Sequence, residues 1–227
     1  MTGRNYRLNK NTMTNTAEKI TPMVYTAAQT AFIFPGQGSQ KVGMGKDFAD
    51  NFAEAKQVFA EVDEALGKPL SKIIFEGSQE ELNMTENTQA AIMATSIAIW
   101  RVLAKEKPIE EYCNFVAGHS LGEYSALCAS GALSLADTAR LLKIRGEAMQ
   151  KAVPVGVGAM AAILGLDFAV VDTIARDSGC EAANDNAEGQ VVVSGSRETV
   201  AKAIEAAKEA GAKRAIELPV SAPFHCR

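Results

Sequence analysis

The sequence has few of the residues that build metal or redox sites. Its 227 residues include only two histidines and four cysteines. No two cysteines have the Cys-x-x-Cys spacing of zinc or dithiol sites. We therefore expect reduced thiols, a cytoplasmic location and neither a metal nor another cofactor. The cysteines are Cys113, Cys128, Cys180 and Cys226.

Long apolar runs and an excess of positive charge are also missing. No apolar stretch reaches the length of about 18 residues that a membrane-spanning helix needs. Lysine and arginine number 23 against 27 acidic residues, a net charge of -4, so no general basic field attracts nucleic acid or an anionic membrane. The 47% of apolar residues is enough for a substantial core. We expect a globular protein that binds neither nucleic acid nor membranes.

Residues 1–30 differ in composition from the rest. They are basic and rich in threonine and asparagine, which predicts a flexible N-terminal extension. Two other interpretations stay open. The segment faintly resembles an organellar transit peptide, or it is an upstream extension with the true start at Met13 or Met23.

From Ala31 onward the pattern is that of an α/β protein. The apolar run 31–34 ends at Pro35-Gly36 and predicts a buried strand. A second strand is expected at 114–117. Apolar spacings of three and four residues predict further helices, and Ser134 is a candidate N-cap. These helices are expected over 47–66, closed by Gly67, over 88–105, over 121–130 and after residue 134.

Residues 156–220 show a different order of elements. Strands are expected at 160–164, 181–183, 190–194 and 214–218, and helices at 167–177 and 197–210, with a turn at Asn184–Asn186. This β-α-β-β-α-β order is typical of ferredoxin-like units. We predict a ferredoxin-like subdomain over 156–220, inserted into an α/β domain made of residues 31–155 and 221–227 that contains a parallel sheet.

One motif carries chemistry. Residues 118–122 read Gly-His-Ser-Leu-Gly, a G-x-S-x-G match with a strand before it and a helix after it. That context indicates a nucleophile elbow, which exposes the serine hydroxyl on a sharp turn. Ser120 is the candidate nucleophile. The other interpretation is a tight strand-to-helix turn with an idle serine.

A serine needs a base and an oxyanion site to attack a carbonyl. His119 is adjacent to Ser120 and badly placed to act as its base, so His225 is the candidate, although either histidine could instead serve packing. The Leu121 N–H is one oxyanion donor that an elbow supplies. The Gln37 N–H, between two glycines, is a second. Without the serine, that loop could instead bind phosphate, although it lacks the lysine and spacing of a P-loop.

Five ordered motifs together resemble the malonyl-CoA:acyl-carrier-protein transacylases of fatty-acid synthesis. The resemblance runs from about residue 31 to the end of the chain. It implies an α/β-hydrolase-like large domain with a nucleophile elbow. The motifs are Phe34-Pro35-Gly36-Gln37-Gly38-Ser39-Gln40, Gly118-His119-Ser120-Leu121-Gly122-Glu123-Tyr124, Arg145-Gly146, Gly189-Gln190-Val191-Val192 and Pro223-Phe224-His225.

The resemblance implies a ping-pong transfer of a malonyl group. Ser120 would attack malonyl-CoA and His225 would act as base and then acid, while Gln37 and Leu121 would bind the oxyanion. The acyl group would pass to the phosphopantetheine thiol of acyl carrier protein. Arg145 would bind the malonyl carboxylate. The remaining substrate-binding residues are expected to be Phe224, which would crowd the α-carbon, His119 and Asn186.

Members of this family continue for several dozen residues beyond the histidine, whereas here only Cys226 and Arg227 follow it. We therefore expect a truncated or incompletely recorded member, with His225 poorly held and activity in question. A serine esterase or thioesterase is the other alternative, and it would need an acidic residue to orient the histidine. The aspartates in the interval are Asp137, Asp167, Asp172, Asp177 and Asp185.

Overall fold

The structure is a computed structural model that describes residues 26–154, 156–218, 220 and 222–227. Most of the predicted N-terminal extension lies outside the described residues. Its last part contains a 3-10 helix, Ala27–Gln29. The Asn114 N–H donates to the Ala27 carbonyl at 3.0 Å, which ties this helix to the segment before the second strand.

The first part of the described chain is mainly helical. Two short strands, β1 (Ala31–Phe34) and β2 (Phe115–Gly118), pair in parallel, which confirms an α/β fold with a parallel sheet. A 3-10 helix at Ile109–Glu111 precedes β2. The helices are α1 (Lys46–Asn51), α2 (Ala53–Leu66), α3 (Leu70–Glu76), α4 (Gln79–Asn83), α5 (Thr85–Glu106), α6 (Gly122–Ala129) and α7 (Leu135–Lys151).

The second part follows the predicted order of strand, helix, strand, strand, helix and strand. Its strands form one sheet in the order β4-β5-β3-β6, and all neighbours are antiparallel. The elements are β3 (Gly158–Leu164), α8 (Phe168–Ser178), β4 (Glu181–Ala187), β5 (Gln190–Ser196), α9 (Arg197–Glu209) and β6 (Arg214–Glu217).

The predicted continuous helix over 47–66 is wrong at one residue. Phe52 has extended backbone angles, φ -128° and ψ 122°, and separates α1 from α2. The break leaves few backbone groups unpaired, because the Phe52 N–H donates to the Phe48 carbonyl at 2.8 Å and its carbonyl accepts from Lys56 N–H at 3.1 Å. The apolar spacing continues across the break, so periodicity did not reveal it. The predicted stop at Gly67 is confirmed, with φ 64°.

The predicted turn at Asn184–Asn186 is also wrong, because these residues belong to β4. Register shifts leave Ala183 and Asn186 without direct partners on β5. Such bulges insert an extra residue and re-aim side chains without ending the strand. The chain reverses later, at Gly189, whose φ of 70° suits a tight turn.

Apolar side chains form two large buried clusters. The helical cluster packs α2, α5 and α7 together and contains fully buried residues such as Val58, Met93 and Leu142. The sheet cluster lies between the four-stranded sheet and α8 and α9, with Val193 and Val200 among its members. The two parts of the chain therefore each bury their own apolar surface.

No helix within the described ranges combines the length and the apolar character needed to cross a bilayer.

Candidate active site

Ser120 stands on a sharp turn between β2 and α6. Its φ is 55°, a left-handed conformation that is uncommon for a residue with a side chain. The flanking glycines permit the turn. A Cβ on Gly118 would lie 1.9 Å from the Gly122 carbonyl carbon, and one on Gly122 would lie 2.2 Å from the Phe34 oxygen. The strand, the turn and the helix thus pass too closely for side chains there.

His225 approaches the serine from the other end of the chain. Its Nε2 lies 2.9 Å from Ser120 Oγ, so the predicted pair meets in space. His225 also has a left-handed backbone, with φ 58°. Among the described non-glycine residues, only these two have positive φ. Backbone strain of this kind tends to occur where function requires a fixed side-chain direction.

Three contacts hold the segment that carries His225. Pro223 packs so closely on Gly158 that a Cβ there would lie 1.9 Å from the proline Cδ. The Ser194 hydroxyl donates to Cys226 Sγ at 3.4 Å. The Arg227 N–H donates to Glu181 Oε1 at 3.4 Å. The four-stranded sheet therefore positions the imidazole.

The surroundings of His225 favour the neutral imidazole. The pKa of His225 is lowered, first by desolvation of the ring and then by the positive charge of Arg145, with a further contribution from His119. Glu123 acts in the opposite direction and raises this pKa. A neutral imidazole is the form that can accept a proton from a hydroxyl.

Arg145 reaches the same hydroxyl from α7. Its two terminal nitrogens donate to different acceptors, Nη2 to Ser120 Oγ at 2.9 Å and Nη1 to Gln89 Oε1 at 2.7 Å. The guanidinium also lies 5.8 Å from the centre of the Tyr124 ring. Burial lowers the pKa of Arg145, while Tyr124 and Glu123 oppose that change. An arginine stays protonated in such a site.

Gln89 was not predicted from the sequence. It is fully buried on α5, and its amide also donates to Met149 Sδ at 3.1 Å. The available signal was a glutamine at the start of an otherwise apolar, alanine-rich run. A buried amide needs hydrogen-bond partners, and Arg145 supplies one. Gln89 thus holds one side of the guanidinium.

The two candidate oxyanion donors come from different segments of the chain. Gln37 lines the cavity that also contains Ser120 and His225. Leu121 is buried and directly precedes α6. Its N–H belongs to the set of amides at a helix start that have no partner within the helix.

His119 and Asn186, both predicted to bind substrate, contact each other. His119 Nε2 lies 3.0 Å from Asn186 Oδ1, which joins the serine turn to the bulge of β4. The His119 ring also packs against the loop between β1 and α1 that carries Gln37, residues 35–45, called the glutamine loop below. A Cβ on Gly36 would lie 2.5 Å from the ring Nδ1. Both residues line the cavity, as does Phe224.

The cavity has a volume of about 370 Å³ and lies between the two parts of the chain. Its lining combines apolar side chains with side-chain amides, an arrangement suited to a small organic ligand. The apolar residues are Met149, Met160, Val192, Leu218, Val220 and Phe224. The side-chain amides of the lining are Gln37, Gln40, Asn83, Asn184 and Asn186. No role was predicted for Gln40, Asn83 or Asn184, although Gln40 lies in the first motif and Asn184 in the predicted turn.

The acidic partner required by the esterase alternative does not appear in the described part of the chain. No aspartate there is hydrogen-bonded to His225. Asp137 instead accepts from Ser134 and Arg140, and Asp172 pairs with Arg176. In the same ranges, no group of three His, Cys, Asp or Glu side chains has a geometry suited to a metal ion.

Comparison with known proteins gives the same family as the motifs. The profile described as "Acyl transferase domain" matches residues 31–226. The malonyl CoA-acyl carrier protein transacylase of Bacillus subtilis is 51% identical over 87% of this chain and 63% of its own length. The crystal structure of acyl-carrier-protein S-malonyltransferase from Bartonella henselae is 56% identical, with a TM-score of 0.83, over 86% of this chain and 64% of its own.

A third relative is a solved complex of a type II polyketide synthase acyl-carrier protein with its malonyl-transacylase, at 45% identity and a TM-score of 0.81. It is matched over 85% of this chain and 63% of its own. The chain thus spans somewhat less than two thirds of the length of these relatives. On the match over residues 31–226 and these identities, the chain belongs to the acyl transferase domain family.

Proposed function

We propose that the site transfers a malonyl group from malonyl-CoA to the phosphopantetheine thiol of an acyl carrier protein, by way of an acyl-serine. The observation that carries this proposal is the convergence of two side chains on Ser120 Oγ, His225 at 2.9 Å and Arg145 at 2.9 Å. One is a neutral base and the other a fixed cation. The names of the relatives support the choice of substrates.

The proposed first half-reaction forms an ester on Ser120. His225 Nε2 takes the hydroxyl proton as Oγ attacks the thioester carbonyl carbon. The bond from carbon to sulfur then breaks, and the imidazolium returns its proton to the departing coenzyme A sulfur. The second half-reaction repeats these steps in reverse, with the phosphopantetheine thiol as nucleophile and Ser120 as leaving group.

The Gln37 and Leu121 amides are proposed to bind the oxyanion that develops on the carbonyl. Arg145 is proposed to bind the malonyl carboxylate, because a guanidinium can donate two parallel charge-assisted hydrogen bonds to it. Its bond to Gln89 keeps the group in place when Nη2 leaves the serine for the substrate. Phe224, His119 and Asn186 are proposed to border the acyl group.

The domain arrangement is part of the proposal. We assign residues 31–155 and 221–227 to an α/β-hydrolase-like domain with the nucleophile elbow, and 156–220 to a ferredoxin-like subdomain. The strand order β4-β5-β3-β6 with two helices on one face supports the second assignment. In this arrangement one unit provides the nucleophile and the other positions the base.

The decisive experiment is acylation of the chain by malonyl-CoA, followed by mass spectrometry of the intact protein and its peptides. We expect a malonyl adduct on Ser120 that is absent in Ser120→Ala. Transfer of that adduct to the thiol of holo acyl carrier protein would establish the second half-reaction. A folded sample that forms no adduct would contradict the proposal.

Arg145→Ala tests the carboxylate assignment. We expect it to slow acylation by malonyl-CoA about a hundredfold or more and acylation by acetyl-CoA much less, because acetyl has no carboxylate. Equal losses with both donors would show that Arg145 does not recognise the malonyl group.

A further inference from the structure

We propose that Gln40 and Asn83 are positioning residues that fix the loop bearing the Gln37 amide, through a chain of side-chain amides that ends at Gln79. This inference rests on the proposed function, in which the Gln37 N–H binds the oxyanion. The three residues Gln40, Asn83 and Gln79 are called the amide chain below.

The amide chain connects the glutamine loop to both ends of α4. Gln40 Oε1 accepts from the Gly38 N–H at 2.8 Å, and its Nε2 donates to Asn83 Oδ1, also at 2.8 Å. Gln79 Nε2 donates to the same Asn83 oxygen at 2.9 Å, and Gln79 Oε1 accepts from the Val42 N–H at 3.2 Å. Two backbone amides of one loop are thereby tied to a single asparagine oxygen.

The loop needs such hydrogen bonds because its glycines allow many backbone conformations. Gly36 and Gly38 flank Gln37, and Gly38 has φ of 107°, a region that is open mainly to glycine. Gln37, Gly38 and Ser39 are exposed, so the core does not hold them. His119 limits the loop on the Gly36 side. The bond from Gly38 to Gln40 fixes the peptide that directly follows Gln37.

Precise placement of an oxyanion donor matters more in the transition state than in the bound substrate. Loss of the amide chain is therefore expected to slow acylation about tenfold to a hundredfold, since displacement by about 1 Å can cost about a hundredfold. Binding of unreactive coenzyme A should change less than twofold.

The donor and acceptor roles within the amide chain allow a specific test. Asn83 acts in the chain only as an acceptor, through Oδ1, so Asn83→Asp keeps both bonds whereas Asn83→Ala removes both. Gln40 accepts at one end and donates at the other, so Gln40→Glu keeps the acceptor for Gly38 but loses the donor for Asn83. A structural account based on side-chain size alone would predict wild-type behaviour for Gln40→Glu, because the two side chains have the same number of heavy atoms, whereas the amide chain predicts a loss.

The experiment compares the rate of Ser120 acylation by malonyl-CoA in wild type, Asn83→Asp, Asn83→Ala and Gln40→Glu, with Gln57→Ala as control. Gln57 is an exposed glutamine of α2 outside the cavity lining. Hydrogen exchange of the Gly38 and Val42 amides is measured on the same samples. We expect Gln57→Ala to match wild type, Asn83→Asp to acylate about tenfold or more faster than Asn83→Ala, and Asn83→Ala to exchange faster at both amides. Gln40→Glu should be slow as well.

Three outcomes would overturn the inference. The first is a wild-type acylation rate in Asn83→Ala, and the second is unchanged hydrogen exchange at the Gly38 amide in that variant. The third is an equal loss of acylation rate in Asn83→Asp and Asn83→Ala, which would point to a substrate contact by the asparagine NH2 group. Failure of the proposed function has a different signature, namely no adduct on the wild-type chain. Hydrogen exchange still tests the amide chain in that case.

Discussion

Ser120 and His225 share a backbone conformation that costs free energy. Both have φ near 55° to 58°, where the Cβ of an L-residue crowds its own backbone by about 1–2 kcal/mol. The turn places the hydroxyl outward and the C-terminal segment turns the imidazole toward it. The two residues with strained backbones are the two whose side chains meet at the cavity, so the backbone strain is located at the candidate site.

Ser120→Gly therefore should be more stable than Ser120→Ala, by about 1 kcal/mol. Both variants lack the hydroxyl, so neither forms the adduct, and only the glycine relieves the left-handed strain. Urea unfolding curves of the two proteins measure the difference. An alanine variant as stable as the glycine variant would contradict the strain at this turn.

The pH dependence of Ser120 reactivity follows from the lowered pKa of His225. Because the neutral imidazole persists to lower pH, the rate should fall only at acidic pH. The midpoint of this fall, the acid limb of the pH profile, should lie below the ordinary histidine pKa of about 6.5. Labelling by a serine-directed fluorophosphonate, which needs no carboxylate recognition, measures the limb. Arg145→Gln removes a charge that lowers this pKa, so its limb should move to higher pH.

Arg145→Lys serves as the matched control, because it keeps the positive charge. Its acid limb should stay close to that of wild type. A limb that shifts equally in the lysine and glutamine variants would mean that the charge of Arg145 is not what lowers the pKa.

At the residue level, the sequence predicted which side chains meet where a motif marks them. The meeting of Ser120 and His225, 105 positions apart, followed from the elbow motif and from the scarcity of histidine. Gln89 was missed, because its contact with Arg145 joins residues 56 positions apart on two packed helices and no local pattern encodes it. His119 and Asn186 were both placed at the site, but their mutual bond depends on a bulge that was predicted as a turn.

At the scale of elements, local signals located most helices and strands, and tertiary contacts decided the rest. The N-cap at Ser134 was predicted, and the Ser134 hydroxyl accepts from the Asp137 N–H at 3.1 Å. The break at Phe52 and the bulges of β4 were not predicted. In both places hydrogen bonding continues across the irregularity, so no turn residue marks it.

Ser134→Ala should lower the free energy of unfolding by about 1 kcal/mol, because it leaves the Asp137 amide at the start of α7 without its acceptor. Urea unfolding measures this loss. Ser134→Thr keeps a hydroxyl at the cap and should lose less than half as much. Arg145 lies more than two turns further along α7, so the acylation rate should be unchanged. A cap variant that stays folded but acylates slowly would show that the start of α7 affects the site.

Gly158→Ala is predicted to damage the site rather than the fold. The added Cβ would meet Pro223 at 1.9 Å, and relief of that overlap moves the segment that carries His225. Acylation should fall at least tenfold while circular dichroism stays native.

Gly131→Ala is the control for that experiment. Its Cβ would have no neighbour within 4 Å, and its φ is 78°. We expect a stability loss of about 1 kcal/mol and an unchanged acylation rate. If both glycine variants lose activity in proportion to stability, the contact with Pro223 does not set the position of the base.

At the scale of the whole molecule, the site lies at the boundary between two separately packed parts. Ser120 and Arg145 belong to the part with the helical cluster, whereas the sheet around the second cluster holds His225. Among the described residues, two side-chain hydrogen bonds cross this boundary at the cavity, from Ser120 to His225 and from His119 to Asn186. The approach of His225 to Ser120 thus relies on side-chain hydrogen bonds at the cavity and not on either buried cluster.

Thermal inactivation should consequently precede melting. On heating, the few bonds across the boundary open at lower free energy than the buried clusters, so the two reacting groups separate while both halves keep their helices and strands. The rate of Ser120 labelling, followed as a function of temperature, is expected to drop several degrees below the circular dichroism transition and to recover on cooling. Loss of labelling that coincides with melting would show that the two halves behave as one cooperative block.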